Sequence, residues 1–203
     1  MSRSLKAVVF DVGNVLIGWN PRLVYPDLTD AQVRCFFQEV GFQEWNVAQD
    51  RGRSWAEGVA ELIARYPHRA PLIERFRRDW HRAVPGPVDG MEQLLDTLDA
   101  RGVARHAITN FSVERWIECQ ARFPFLANGF GVTVVSGRER MVKPDPRIYR
   151  LMLTRAGLAP EDCIFVDDSA ANVATARAVG MEGHEFRTAA GLASDLRRRG
   201  LLA

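Results

Sequence analysis

The sequence has little cysteine and no long apolar run. Its three cysteines stand far apart, so they fit neither a zinc-binding spacing nor an even-numbered disulfide framework. No stretch approaches the roughly 20 apolar residues that a membrane-spanning helix requires. The apolar run near the N-terminus reaches Asp11 too early for the core of a signal peptide. These absences lead us to expect a cytoplasmic protein with no membrane partner.

A large excess of charge of either sign is also absent. The chain carries 27 Lys and Arg against 25 Asp and Glu, so its formal net charge at pH 7 is +2. This balance produces no strong field for a polyanion, and we therefore predict no nucleic-acid partner. A chain of 203 residues can form one α/β domain with a small insertion. Its size is compatible with a monomer or a homodimer.

Four short apolar runs are the candidate strands. They cover residues 5–10, 103–108, 132–135 and 163–166. A continuous apolar run indicates a strand that is buried on both faces, as in a parallel sheet. Amphipathic helical patterns follow or separate these runs, so strands and helices alternate along the chain. This order predicts an α/β fold with a doubly wound, parallel, Rossmann-like sheet.

Residues 18–85 show no strand pattern. Segments 29–40 and 54–66 have helical periodicity, and Ser54 with Glu57 forms the pattern of a capping box at a helix start. We therefore predict an α/β core domain of residues 1–17 and 86–203, with an inserted all-helical cap of residues 18–85.

Polar side chains follow three of the apolar runs, at the point where each run ends. They are Asp11, then Thr109 and Asn110, and finally Asp167 and Asp168. In an open parallel sheet, ligands bind outside the carboxyl ends of the strands. We therefore expect these side chains, which are far apart in sequence, to meet at one edge of the sheet.

The residue types at this edge predict a divalent metal site. Asp11, Asp167 and Asp168 would repel one another unless a cation were present, and oxygen ligands favour Mg²⁺. Lys143, in the loop after the third run, can neutralise further charge and hold a phosphoryl oxygen. An aspartate in such a site can attack phosphorus and form an aspartyl-phosphate.

Four segments resemble, in order, the motifs of haloacid dehalogenase-like hydrolases. They are FDVGNVL at 10–16, ITN at 108–110, KPDP at 143–146 with Tyr149, and FVDDS at 165–169 with Asn172. The resemblance spans residues 6–180. It implies Mg²⁺-dependent hydrolysis of a small phosphorylated metabolite, with residues 18–85 as the helical cap of that family.

The resemblance also implies roles at the phosphoryl group. Asp11 would be the nucleophile, and Lys143 would bridge it to the phosphate. Thr109 and Asn110 would bind phosphoryl oxygens, and Asn14 would contact the substrate.

The metal ligands implied by the resemblance are close to the nucleophile. Asp11, Asp168 and the carbonyl of Gly13 would ligate Mg²⁺. Asp167 would act through a water molecule or by orienting Lys143.

Gly13 departs from the pattern of the family's phosphatases, which usually carry a second aspartate there. That aspartate protonates the leaving group and then activates water, and such acid–base help is typically worth about 10²–10⁴-fold. The Asp-x-Gly-Asn form resembles a subgroup that includes glucose 1-phosphate phosphatases. Because an anomeric leaving group needs less protonation, a sugar phosphate is our first substrate hypothesis.

Two other functions stay open. The 2-haloacid dehalogenases of the same superfamily also lack the second aspartate, but the Asp167–Asp168 pair favours a metal-dependent reaction. A catalytically weak, ligand-binding or regulatory member is the second alternative. In the cap, residues 49–52 predict a polar turn, from which Arg51 could bind a substrate anion or simply face solvent.

Overall fold

The computed structural model describes residues 5–203, and these contain one five-stranded sheet. The strands are β1 (Ala7–Phe10), β2 (Ala104–Thr109), β3 (Val132–Val135), β4 (Cys163–Asp167) and β5 (Glu182–Glu185). All neighbours pair in parallel, in the order β3-β2-β1-β4-β5. The chain therefore winds outward in both directions from β1, and the predicted α/β fold is confirmed.

The α-helices fall into an inserted group and a group that alternates with the strands. The inserted helices are α1 (Asp30–Val40), α2 (Phe42–Asp50), α3 (Trp55–Arg65) and α4 (Ala70–Asp79). The others are α5 (Met91–Ala100), α6 (Val113–Arg122), α7 (Pro124–Asn128), α8 (Ser136–Glu139), α9 (Pro146–Ala156), α10 (Ala170–Val179) and α11 (Ala189–Arg198). None of the helices in residues 5–203 is long and apolar enough to cross a membrane.

The side chains of β1 alternate between two hydrophobic clusters, one on each face of the sheet. Val8 and Phe10 belong to the larger cluster, which includes leucines of α5 and α11. Ala7 and Val9 belong to the smaller cluster, with side chains of α9 and α10. All four residues of β1 are fully buried, which explains why the sequence shows a continuous apolar run rather than an alternating one.

The segment before α1 and the segment after α4 lie next to each other and are joined by backbone hydrogen bonds. The Gly18 N–H donates to the Gly86 carbonyl at 2.9 Å, and the Asn20 N–H donates to the Ala83 carbonyl at 2.7 Å. This pairing lies at the predicted boundaries of the cap. The division into a core of residues 1–17 and 86–203 and a cap of residues 18–85 stays a prediction.

Candidate active site

The carboxyl ends of three adjacent strands carry predicted site residues. Asp11 directly follows β1, Thr109 ends β2 and Asp167 ends β4. The sheet order puts β1 between β2 and β4. Because neighbouring parallel strands end at the same edge, the fold brings together residues from opposite ends of the chain.

Lys143 lies buried between two carboxylates. Its Nζ is 2.6 Å from Asp11 Oδ1 and 2.7 Å from Asp167 Oδ2, and its side chain is only 1% exposed. Burial by itself would lower the pKa of Lys143, but the charges of Asp11 and Asp167 raise this pKa above its usual value. The amine is therefore a fixed positive charge next to Asp11.

Asp11 is a buried carboxyl in a crowded acidic site. Its Oδ1 accepts the Val12 N–H at 2.6 Å in addition to the contact with Lys143. Burial raises the pKa of Asp11 to about 7, with a further increase from Asp167, although Lys143 opposes the shift. A bound cation would favour the charged form of this carboxylate.

The adjacent carboxylates Asp167 and Asp168 have different surroundings. Asp167 has no exposed surface and accepts hydrogen bonds from Lys143 Nζ, from the Ser169 N–H at 2.8 Å and from Asn172 Nδ2 at 3.0 Å. Asp168 is half-buried, and burial followed by the charge of Asp167 raises its pKa. Asp167 is thus engaged by protein donors, whereas Asp168 remains accessible.

The three carboxylates offer oxygen atoms that all lie within 4.8 Å of one another. Within residues 5–203, Asp11, Asp167 and Asp168 are the one group of acidic, histidine or cysteine side chains with this metal-binding geometry. An all-oxygen donor set fits Mg²⁺. Since Asp167 is held by protein donors, Asp11 and Asp168 are the carboxylates best placed to hold the ion.

The two polar residues after β2 have distinct environments. Asn110 brackets the backbone of Lys143, because its Oδ1 accepts the Lys143 N–H at 2.8 Å and its Nδ2 donates to the Lys143 carbonyl at 3.1 Å. Thr109 Oγ1 is buried and has no hydrogen-bond partner among the described residues. An unpaired buried hydroxyl is uncommon, and a phosphoryl oxygen would satisfy it.

A cavity of about 400 Å³ opens at this edge of the sheet and extends to the inserted helices. The residues predicted from the sequence that line it are Asp11, Gly13, Asn14, Asn110, Lys143 and Asp168. Asn14 Nδ2 lies 3.3 Å from Asp168 Oδ2, so Asn14 braces a carboxylate as well as facing the cavity. The volume is in the range of small-molecule sites.

A family model of haloacid dehalogenase-like hydrolases matches residues 5–180. The chain belongs to this family.

Two curated relatives of this haloacid dehalogenase-like hydrolase bear the names of a hydrolase and a phosphatase. The chain is 36% identical to flavin mononucleotide hydrolase 1 of Arabidopsis thaliana over 117 residues, which are 56% of this chain and 46% of that protein. The match therefore spans less than half of that relative. The chain is 27% identical to the sesquiterpene phosphatase astK of Aspergillus oryzae over 203 residues, with 98% of each chain covered.

Solved structures include members of the family with the same fold. A Bacteroides thetaiotaomicron enzyme of the family, crystallised with magnesium and inorganic phosphate, has a TM-score of 0.72 at 20% identity. The match covers 92% of this chain and 96% of that chain.

In this member of the family, the position two residues after Asp11 has no side chain. A Cβ built on Gly13 would have Trp19 Cβ, at 4.0 Å, as its nearest neighbour outside the adjoining residues. Gly13 is not among the residues with positive φ in the described chain. Neither crowding nor backbone conformation therefore requires glycine here, and the absence of the acid is a property of the site rather than of the fold.

The predicted polar turn at residues 49–52 is only partly correct. Gln49 and Asp50 instead form the end of α2. Gln49 is fully buried, and both ends of its amide have partners: the nitrogen donates to the Trp45 carbonyl and the oxygen accepts from Arg53 Nε at 2.6 Å. Arg51 is exposed on the following turn and does not line the cavity. The structure thus places Arg51 outside the site, whereas Asp50 faces into it.

Arg115 in the first turn of α6 is the arginine that lines the cavity, and the sequence did not single it out. Its guanidinium carbon lies 4.1 Å from the ring centre of Trp55 and 5.0 Å from that of Trp80. One terminal nitrogen donates to Glu118 at 2.7 Å, while Nε is buried with no partner among the described residues. The sequence feature that could have indicated Arg115 is Ser112. It stands shortly after the β2 motif and is the N-cap of α6, so Arg115 lies in the first turn of a helix that begins near the sheet edge.

Proposed function

We propose that this chain is a Mg²⁺-dependent phosphatase that hydrolyses a small phosphomonoester through an aspartyl-phosphate on Asp11. The observation that carries the proposal is the buried Lys143 amine, 2.6 Å from Asp11 and 2.7 Å from Asp167, beside the accessible Asp168. The names of the curated relatives support phosphate-ester hydrolysis.

The residues of the site suit an in-line transfer of a phosphoryl group. Asp11 attacks phosphorus and the bond to the leaving oxygen breaks, after which water cleaves the aspartyl-phosphate and releases inorganic phosphate. Lys143 is held where it can bind a phosphoryl oxygen and stabilise the negative charge of the transition state. The unpaired Thr109 hydroxyl would donate to a second phosphoryl oxygen.

Asp11, Asp168 and the carbonyl of Gly13 are the residues that we propose to hold Mg²⁺. When bound, the ion supplies positive charge that lowers the repulsion among the carboxylates and stabilises the transferring group. Asp167 keeps Lys143 in place through its short contact with the amine. A magnesium and phosphate complex of a family member with the same fold supports this choice of ion.

The wall of the cavity defines which leaving groups to test. Its aromatic side chains are Trp19, Phe37, Phe42, Trp55, Trp80 and Phe111. Aromatic rings bury large, flat contact areas, which suits a sugar ring, a flavin or a prenyl group. We keep a sugar phosphate such as glucose 1-phosphate as the first substrate hypothesis, because of the Asp-x-Gly-Asn segment.

A 2-haloacid dehalogenase activity is the weaker alternative. Such an enzyme attacks carbon with the same aspartate and needs no metal. The cluster of Asp11, Asp167 and Asp168, with oxygens within 4.8 Å, would be an unfavourable accumulation of charge in a metal-free site. A regulatory role without turnover would leave the buried Lys143–Asp11 pair without an evident purpose.

The experiment is phosphate release by the purified protein with Mg²⁺ or with EDTA. The substrates are p-nitrophenyl phosphate, flavin mononucleotide, a prenyl phosphate and a panel of sugar phosphates that includes glucose 1-phosphate. Asp11→Asn removes the nucleophile with almost no change of volume. Asp27→Asn, at an exposed aspartate in the turn before α1, is the matched control.

We expect Mg²⁺-dependent release by the wild type and by Asp27→Asn, and none by Asp11→Asn. Phosphate release that persists in Asp11→Asn would exclude the aspartyl-phosphate mechanism. If no substrate releases phosphate but a 2-haloacid releases halide in EDTA, the dehalogenase alternative is correct.

A further inference from the structure

The cavity contains one ionisable carboxyl to which the proposed reaction gives no role. The ionisable side chains that line the cavity in the described chain are Asp11, Asp50, Arg115, Lys143 and Asp168. The nucleophile, the metal ligand and the fixed amine account for three of them. Arginine does not release its proton in proteins, so Asp50 is the remaining group that can exchange a proton with a substrate.

The backbone of Asp50 is tied to the core side of the molecule. Its carbonyl accepts a hydrogen bond from Ser136 Oγ at 2.6 Å, and Ser136 directly follows β3. Two residues later, a Cβ on Gly52 would lie 2.7 Å from the Gly137 carbonyl oxygen, so the chain passes very close to the core here. The end of α2 is therefore held against the strand ends, although it belongs to the inserted helices.

The carboxyl of Asp50 points to the loop that follows β2. The nearby Ser112 backbone N–H lowers the pKa of this carboxyl, and Asn46 Nδ2 donates to its Oδ2 at 3.1 Å. Ser112 is two residues beyond Asn110, which brackets the backbone of Lys143. These contacts fix the carboxyl at the cavity wall near the phosphoryl-binding residues.

From this arrangement we infer that Asp50 is the acid–base catalyst that takes the place of the aspartate absent at position 13. This inference rests on the proposed phosphatase function and adds the group that protonates the leaving oxygen. It requires a substrate that fills the cavity and brings its ester oxygen to the Asp50 carboxyl.

The proton balance of both half-reactions closes on this residue. As Asp11 bonds to phosphorus and the bond to the leaving oxygen breaks, the proton of the Asp50 carboxyl moves to that oxygen and the alcohol leaves. The Asp50 carboxylate then takes a proton from the water that attacks the aspartyl-phosphate. Phosphate departs, Asp11 regains its carboxylate, and Asp50 is protonated for the next cycle.

The protonation of Asp50 is suited to this work. Burial raises its pKa to about 7, opposed only by the nearby Ser112 backbone N–H, and no charged neighbour contributes to the shift. Near neutral pH the carboxyl therefore occupies both protonation states. A catalytic group that first gives and then takes a proton works best under that condition.

The test compares substrates whose leaving groups differ in their need for a proton. Asp50→Asn keeps the shape of the side chain but cannot exchange a proton. We expect kcat for the best alkyl phosphate to fall by about 10²–10⁴-fold, and kcat for p-nitrophenyl phosphate by no more than about tenfold, because nitrophenolate leaves with little protonation. Asp27→Asn should leave both values unchanged.

A second variant separates catalysis from a structural effect. Gly13→Asp in the Asp50→Asn background returns an acid to the usual position of the family, where the nearest atom outside the adjoining residues is 4.0 Å from a new Cβ. We expect it to recover turnover of the alkyl phosphate. A loss in cap positioning would lower kcat for both substrates equally, and an acid at position 13 would not restore it.

The outcomes also separate this inference from the proposed function. Equal losses on both substrates in Asp50→Asn, or no loss on either, would overturn the role of Asp50. If Asp11→Asn is inactive in the same assay, the phosphatase function stands in those cases. A wild-type protein that releases phosphate from no substrate of the panel would overturn both.

Discussion

At the scale of single residues, the candidate site is organised around one buried positive charge. Lys143 has carboxylates on two sides, and Asn110 holds its backbone through two hydrogen bonds. Residue types and strand-end positions were enough to predict that these side chains meet. They could not predict that Asn110 acts mainly on Lys143, because the loop that carries Lys143 has no periodicity to interpret.

Replacement of Lys143 by methionine should destabilise the protein as well as stop turnover. Asp11 and Asp167 would remain buried without their counter-charge, and removal of one partner of a buried ion pair costs about 3–5 kcal/mol. The free energy of unfolding in urea, measured with EDTA, tests this.

The matched control for that variant is Lys6→Met. Lys6 Nζ lies 2.8 Å from Asp162, but its side chain is 64% exposed, and exposed pairs contribute about 0–1 kcal/mol. If Lys143→Met were as stable as Lys6→Met, the buried ion pair would not be formed in solution.

The free energy of unfolding should also depend on pH through Asp50. In the unfolded chain this carboxyl ionises near pH 4, whereas burial raises its pKa in the folded protein to about 7. The folded state therefore keeps a proton that the unfolded chain loses, so the stability contributed by this group falls as pH rises from about 4 to 7. Asp50→Asn should become more stable relative to wild type over that window, by at most about 4 kcal/mol.

Urea unfolding at pH 5 and at pH 8 measures this difference. Asp27→Asn should show none between these pH values, because the hydrogen bond from Arg75 lowers the pKa of Asp27 and the group is ionised in both states. A constant difference between wild type and Asp50→Asn would mean that Asp50 titrates normally.

At the scale of helices and strands, the four apolar strands and the helices α1 and α3 were predicted. The edge strand β5 and the helices α2, α4, α6, α7 and α8 were not. The edge strand β5 has the sequence EGHE, with no apolar residue. Its buried position is Gly183, where a Cβ would lie 2.8 Å from Val173 Cγ1 of α10. The strand lacks a hydrophobic signal because the helix packs directly on its backbone.

Helix α2 was missed for a different reason. It begins directly after Gly41, which ends α1 in the left-handed conformation at φ 62°, so the two helices are separated by a single residue. Trp45 of α2 packs edge to face on Trp55, with ring centres 5.4 Å apart. In the sequence, Gly41 indicated the end of α1 but did not indicate that a second helix begins at the next residue.

The predicted capping box of α3 is confirmed, and we expect it to contribute to the free energy of unfolding. Ser54 Oγ accepts the Glu57 N–H at 3.2 Å, and the Glu57 carboxylate accepts from the Ser54 N–H at 3.3 Å. Ser54→Ala should lower the free energy of unfolding by about 1 kcal/mol, since it leaves the first turn of the helix without its cap.

Ser194→Ala is the comparison for that prediction in urea unfolding. Ser194 is exposed inside α11, where alanine is the better helix former. The two substitutions should therefore change stability in opposite directions or differ by about 1 kcal/mol. Equal effects would show that the cap of α3 contributes nothing.

At the scale of the whole molecule, the sequence predicted the sheet edge of the cavity but not its other wall. Asp11 and Asp168 were predictable because parallel strands share one carboxyl edge. Asp50 reaches the same cavity because the inserted helices pack on the loop after β2, and Arg115 faces it from α6, which follows that loop. Which helix face meets that loop depends on contacts such as Trp55 Nε1 to Ser112 Oγ at 2.8 Å. No local pattern contains that information.

Binding of Mg²⁺ should stabilise the whole fold, because the site joins the ends of β1 and β4 and does not exist in the unfolded chain. A ligand at 100 times its Kd adds about 2.7 kcal/mol to the free energy of unfolding. The melting temperature should therefore rise as Mg²⁺ is titrated into EDTA-treated protein. Asp168→Asn should abolish most of this rise, whereas Asp96→Asn, an exposed aspartate on α5, should retain it. An equal rise in both variants would mean that Mg²⁺ acts elsewhere, and the proposed ligand set would be wrong even if phosphate release required the metal.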